Sequence, residues 1–305
     1  MTDARIGELA GLATAALWVV SSLSFTAAGR RLGATRVNLL RTLGAAVVLA
    51  FVQWMWFGQW LPRAEVAAML WLACSGLLGL TIGDQFLFTG YVMLGPRTVS
   101  LLMTLSPSLA ATIAWVCFGE GMTGISVLGM LITTGGVAWV TLGRQEVVAD
   151  RDARTVRKGL LFGLAAAVCQ ALGMVMARRG LVSGVGAFDA QTIRMYAGAV
   201  SVIPVALFAH RSGRLAPAQA SSRALGVLAI GTVSGPLLGV YCSMVAVKMV
   251  GVGVASTLIG LVPVLILPAS WIIDRQRIST RAWIGAIIAV AGIAMLAMGS
   301  GSEGR

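Results

Sequence analysis

"SLLMTLSP", Ser100 to Pro107, is followed 156 positions later by "STLIGLVP", Ser256 to Pro263. Ser100, Leu102, Leu105 and Pro107 fall on Ser256, Leu258, Leu261 and Pro263, and the register continues through Trp115 on Trp271, Gly129 on Gly285 and Gly136 on Gly292. Leucine matches come readily by chance in an apolar chain; Pro, Trp and two Gly in one register do not. The same offset lays Gly79 and Gly83 on Gly235 and Gly239. An offset of 152 lays "GELAGLATA" (Gly7 to Ala15) on "GLLFGLAAA" (Gly159 to Ala167), and one further residue of slip brings Arg41 onto Arg194. The chain therefore reads as one unit written twice, residues 1–145 and 159–305, joined by a charged linker at 146–158.

Each copy is strongly apolar. Of 305 residues, 58% are hydrophobic and 11% charged, far more oil than a soluble domain needs to fill a core. Apolar runs of ~20 residues, enough to cross the hydrocarbon as helix, recur along the whole chain. Hydropathy places ten spans near 7–28, 36–57, 66–94, 97–118, 123–142, 159–177, 189–209, 224–248, 252–273 and 281–299. The first leads straight into another span, which argues against a cleaved signal peptide. An odd number of spans per copy turns the second copy upside down in the membrane. The expected fold is all-α: ten transmembrane helices as two inverted five-helix repeats around a central cavity, the architecture of alternating access.

Composition also excludes several functions. The net charge of +12 sits in short connections without aromatic interleaving, which suits anionic lipid headgroups rather than nucleic acid. The single His, His210, belongs to a loop, and no Walker, HExxH or paired-carboxylate motif occurs, so neither an enzyme nor a bound cofactor or metal is expected. Cys74, Cys117, Cys169 and Cys242 lie within apolar runs and read as small core residues rather than disulfides.

The segment "YVMLGPRTVSLLMTLSPSLAATIAWVCFGE", its echo "VAVKMVGVGVASTLIGLVPVLILPASWIIDRQ" and the Gly-rich fifth and tenth spans resemble the EamA-type transporters of the drug/metabolite transporter superfamily. The resemblance covers nearly the whole chain. It implies a ten-helix basket in the cell membrane that moves small metabolites, often amino acids and often outward. The family's Gly-Glu after the fourth span is present as Gly119-Glu120, but its mirror is Arg275-Gln276. Ser279 or Thr280 would then have to cap the last helix.

Asp84 is the outlier within "GLLGLTIGDQFLF", Gly76 to Phe88. An ionisable group inside a span costs ~2.5 to 3.5 kcal/mol on insertion scales, so it faces protein or water. Two readings stand: a proton-coupling carboxylate or ligand for a substrate amine, and a structural carboxylate paired with an Arg. At α-helical spacing Thr81, Asp84, Phe88 and Tyr91 form one stripe beside a glycine face. Across the repeat Asp84 meets Val240, Gln85 meets Tyr241 and Trp18 meets Gln170, so the two halves share a scaffold but not a lining. The cavity candidates are Trp18, Ser21, Ser22, Asp84, Phe88, Thr104 and Ser106 from the first half, with Gln170, Ser234, Tyr241 and Ser243 from the second. For each hydroxyl or ring taken singly, local helix bonding or packing is the plainer role. Arg41 and Arg194 read either as side chains snorkelling to the interface or as mirrored gates, each able to bind Asp84, Asp189 or an anionic substrate. Pro107 and Pro263 are expected to kink the fourth and ninth spans, and Gly79, Gly83, Gly231, Gly235 and Gly239 to pack helices.

Fifteen of the 23 Lys and Arg residues fall in connections 1–2, 3–4, 5–6, 7–8 and 9–10, against six at the termini and other connections. The positive-inside rule then puts both termini outside, opposite to what the family resemblance suggests. A secondary transporter is the leading reading, with a lipid-linked flippase or a non-transporting membrane scaffold as alternatives. Substrate, direction, coupling ion and oligomeric state, a homodimer included, stay open.

Overall fold

The computed structural model describes residues 3–119, 123–141, 152–213, 221–274 and 279–300. Within these the chain is helical throughout: α1 (Asp3–Leu32), α2 (Ala34–Phe57), α3 (Val66–Gly76), a π-helical segment (Leu77–Gly83), α4 (Asp84–Leu94), α5 (Pro96–Met103), α6 (Leu105–Phe118), α7 (Gly124–Thr141), α8 (Ala153–Val182), α9 (Ala187–Arg211), α10 (Ser222–Thr232), a second π-helical segment (Val233–Gly239), α11 (Val240–Ile259), α12 (Val262–Asp274) and α13 (Thr280–Ser300). Seven of the described helices are long and apolar enough to cross a membrane, and three shorter apolar ones, Gly124–Val140, Val262–Ile272 and Thr280–Met295, accompany them. Val47, Phe51, Trp56, Val116, Leu131, Val200 and Ile272 are among many large apolar side chains left exposed, the surface a lipid solvent requires. This is a multi-pass integral membrane protein.

Breaks fall where backbone chemistry demands them. Gly33 (φ 84°) separates α1 from α2, and Gly95 (φ 84°) precedes Pro96 at the start of α5. The second copy behaves differently. The expected break near 249–251 is absent, and α11 runs on to Ile259. Gly95-Pro96-Arg97 corresponds to Gly251-Val252-Gly253, so the proline that would remove a helix donor is missing and the helix continues. The sixth span also begins earlier than expected, at Ala153 inside the presumed linker, with Asp152 accepting from the Thr155 amide at 3.3 Å as its cap.

The prolines expected to kink spans instead open new helices. Thr104 breaks the chain, its amide turning back to the Leu101 carbonyl at 3.1 Å, and Pro107 lies in the first turn of α6. Leu261 does the same to Leu258 at 3.2 Å, with Pro263 in the first turn of α12. A prolyl ring crowds the carbonyl four residues back and offers it no donor, which locates both breaks just upstream. Thr123 and Ser279, equivalent in the repeat, cap α7 and α13 by accepting from the amides of Ser126 (3.2 Å) and Ala282 (3.3 Å). Ser279 thus supplies the cap foreseen for it. Glu120, Arg275 and Gln276 lie outside the described residues.

Glycines set the helix contacts. A Cβ on Gly231, Gly235 or Gly239 would run into Phe25, Ser21 or Trp18 in turn, so α10 and the second π-helical segment lie directly on α1. Gly83 lies against Cys169, and Gly136 against the backbone of Ala289. The four cysteines are free, as expected, but Cys74 and Cys117 are exposed rather than core.

Candidate functional site

The two π-helical segments occupy 77–83 and 233–239, equivalent positions in the two copies. A π turn widens the helix and disturbs its carbonyl ladder, and such turns often mark functional sites. Polar residues of α2 attend the first one. Asn38 Nδ2 donates to the Thr81 carbonyl at 3.0 Å, and Thr42 Oγ1 donates to Asn38 Oδ1 at 3.3 Å. Thr81 Oγ1 donates to the Gly198 carbonyl at 3.1 Å and lies 2.7 Å from Ser201 Oγ, tying the segment to α9.

Asp84 follows directly, the first residue of α4 and 3% exposed. Its Oδ2 is 2.5 Å from Nη2 of Arg41, itself 5% exposed, and its Oδ1 accepts from Gln170 Nε2 at 3.3 Å. The snorkelling reading of Arg41 is therefore corrected: the guanidinium turns inward because a carboxylate and two aromatic faces receive it. Its carbon lies 5.2 Å from the Phe88 ring centre and 5.7 Å from that of Phe25, and the two rings meet edge to face at 5.0 Å.

Arg194, on α9, is half-buried beside this pair. Nη1 donates to Gln191 Oε1 at a long 3.4 Å, and among the described residues its Nε has no hydrogen-bond partner. Gly79 is bare beneath it: a Cβ there would lie 3.7 Å from Arg194 Nη2 and 3.2 Å from Gln170 Oε1. Asp189, the other carboxylate considered as a partner for these arginines, accepts instead from Gln53 Nε2 at 3.1 Å. The centre thus gathers two guanidiniums and one carboxylate from α2, α4 and α9, with an amide from α8.

The remaining candidates divide. Trp18 is half-buried and lies on Gly239, and Ser21 donates to the Gly231 carbonyl at 3.2 Å. Ser22 donates to Val19, Thr104 to Leu101, Ser234 to Ile230 and Ser243 to Val240, all carbonyls three or four residues back, the plainer role for such hydroxyls. The buried Ser106 hydroxyl has no partner among the described residues. Phe88, 2% exposed, is the shelf under Arg41 rather than a cavity wall. Tyr241 does not join the interior and is 58% exposed. It lies two residues, ~200° around the helix, from Gly239, whose face is pressed on Trp18. Asn38, Thr42 and Phe25 were missed from sequence. The signal was there for the first two: Asn38, Arg41 and Thr42 place polar groups at three- and four-residue spacing inside an apolar span.

Comparisons with known proteins follow the same outline. Residues 5–142 and 157–298 each match the EamA-like transporter family. A stretch of 87 residues is 36% identical to the "Uncharacterized transporter YdfC" of Bacillus subtilis (strain 168); it spans 28% of either chain. A solved structure described as "Crystal structure of protein" shares the fold at a TM-score of 0.66 and 19% identity, over 98% of this chain and 99% of that one. With both of its halves matched, the chain belongs to the EamA-like transporter family of the drug/metabolite transporter superfamily, whose members are transporters rather than enzymes.

Proposed function

We propose that the chain is a secondary transporter that exports small polar or amphipathic metabolites, amino acids among them, by alternating access. The proposal takes ten spans as two inverted five-helix halves. Support comes from the helix breaks before Pro107 and Pro263, the equivalent caps Thr123 and Ser279, and the paired π-helical segments, all in one register. The observation that carries the mechanism is the buried Arg41–Asp84 pair, set where the first π segment gives way to α4 and shared between α2, α4 and α8.

A charge pair sealed from water is costly unless it performs a task or is held by surrounding bonds. In this reading rocking of the halves opens the centre, and Asp84 exchanges its Arg41 contact for a proton or for a substrate amine. Reconstituted vesicles tested for efflux across an amino-acid and metabolite panel, with and without a pH gradient, check it. Asp84→Asn should abolish the response to the gradient. Wild-type rate with unchanged pH dependence in that variant would sink the coupling role.

A second reading, a flippase for lipid-linked substrates, needs a lateral opening. One feature favours it: a groove of about 290 Å³ between α2 and α9, lined by Leu39, Leu40, Ile203 and Leu207, with Arg36 and His210 also on its wall. Transport of a lipid-linked probe, with none of the water-soluble panel moved, would select it.

A further inference from the structure

The central cluster is out of charge balance, and the imbalance has a location. Arg41 is matched by Asp84, bonded to it, stacked on Phe88 and flanked by Phe25. Arg194 shares the field of Asp84 but bonds to no carboxylate among the described residues: its one described hydrogen bond is the 3.4 Å contact to the neutral Gln191, and its Nε is unpartnered among the described residues. A guanidinium stays protonated in proteins, so one positive charge is left over inside an apolar bundle. The backbone beside it is stripped of side chain at Gly79, where Arg194 Nη2 and Gln170 Oε1 overlook the missing Cβ. That glycine belongs to the π turn, and its missing side chain lets Arg194 and Gln170 close on the backbone there.

We infer that Arg194 is the recognition point for a carboxylate carried by the transported molecule. The bound carboxylate takes the place of the Gln191 contact. A carboxylate matches the planar fork of a guanidinium and is a single negative charge, which brings the cluster to neutrality; a dianionic phosphate would overshoot it. This inference rests on the transporter reading and names its substrate class. It excludes amines and amides lacking an acid group as good substrates.

Proteoliposomes of the full chain, loaded with an apolar amino acid, its carboxamide or its decarboxylated amine, test it by efflux. Thermal melting of the detergent-solubilised protein with each compound gives a second readout that needs no variant. Wild type should favour the acid by roughly tenfold to hundredfold, the worth of a charged hydrogen-bonded pair. Arg194→Gln should raise KM for the acid by a similar factor and erase the preference, while Arg194→Lys keeps part of it. Equal handling of acid and amide by wild type, or a preference that survives Arg194→Gln, overturns the inference and leaves transport standing. Failure of wild type to move or bind any compound in the set overturns both.

Discussion

Arg41 and Asp84 are worth more as a pair than either is alone. Their charges are shut away from solvent, so removing one partner strands the other, at a cost of ~3 to 5 kcal/mol. Arg41→Met should lower the unfolding free energy in detergent by that order, and Arg41→Met with Asp84→Leu should recover most of it. A double-mutant cycle measures the coupling; additive losses would show that the contact carries no energy of its own. The carboxylate was legible in the sequence because one acidic residue in "GLLGLTIGDQFLF" violates the surrounding pattern. Its partner was legible only as one of two readings. Arg41 lies 43 residues away, near a span end, where hydropathy makes snorkelling the natural expectation. Only the crossing of α2 over α4 decides that it turns inward.

At the scale of elements, small residues determine how closely helices approach. A Cβ at Gly239 would stand 2.6 Å from the Trp18 ring, whereas at Gly135 it meets nothing within 4 Å. Gly239→Ala should therefore destabilise the protein by ~1 to 3 kcal/mol through overpacking. Gly135→Ala should be neutral or stabilise by up to ~1 kcal/mol, since its helix gains a better helix former. Thermal melts of the two variants side by side check both signs. The glycine faces, the repeat register and most helix ends were readable, because each rests on local spacing. The run of α11 through 249–251 was not, since hydropathy sees a Gly-rich dip where the backbone, lacking a proline, still closes its bonds. Tyr241 was misplaced for a related reason: repeat alignment says which residue is equivalent, not which face it occupies beside Gly239.

For the whole molecule, orientation follows from charge. With fifteen of 23 cationic residues in the odd-numbered connections, both termini are expected outside. Single cysteines at Glu8 and Arg151, in a background lacking the four native ones, report it through a membrane-impermeant thiol reagent. Label reaching position 8 from outside, and position 151 only after permeabilisation, is the expected outcome; the reverse pattern reinstates the family's orientation.

The π-helical segments at 77–83 and 233–239 have a consequence for spacing along the chain. A π turn closes its hydrogen bonds over five residues instead of four, so each segment stores one residue more than an α-helix of the same reach. That residue is slack held in the backbone. Deleting Leu78 should let the turn relax to α while everything from Asp84 onward keeps its phase, and the chain should still fold. Deleting Val47 from α2, which has no such slack, should rotate the rest of that helix by ~100° and abolish folding. Expression and monodispersity of the two deletion variants would show whether the first half of the molecule carries one removable amino acid.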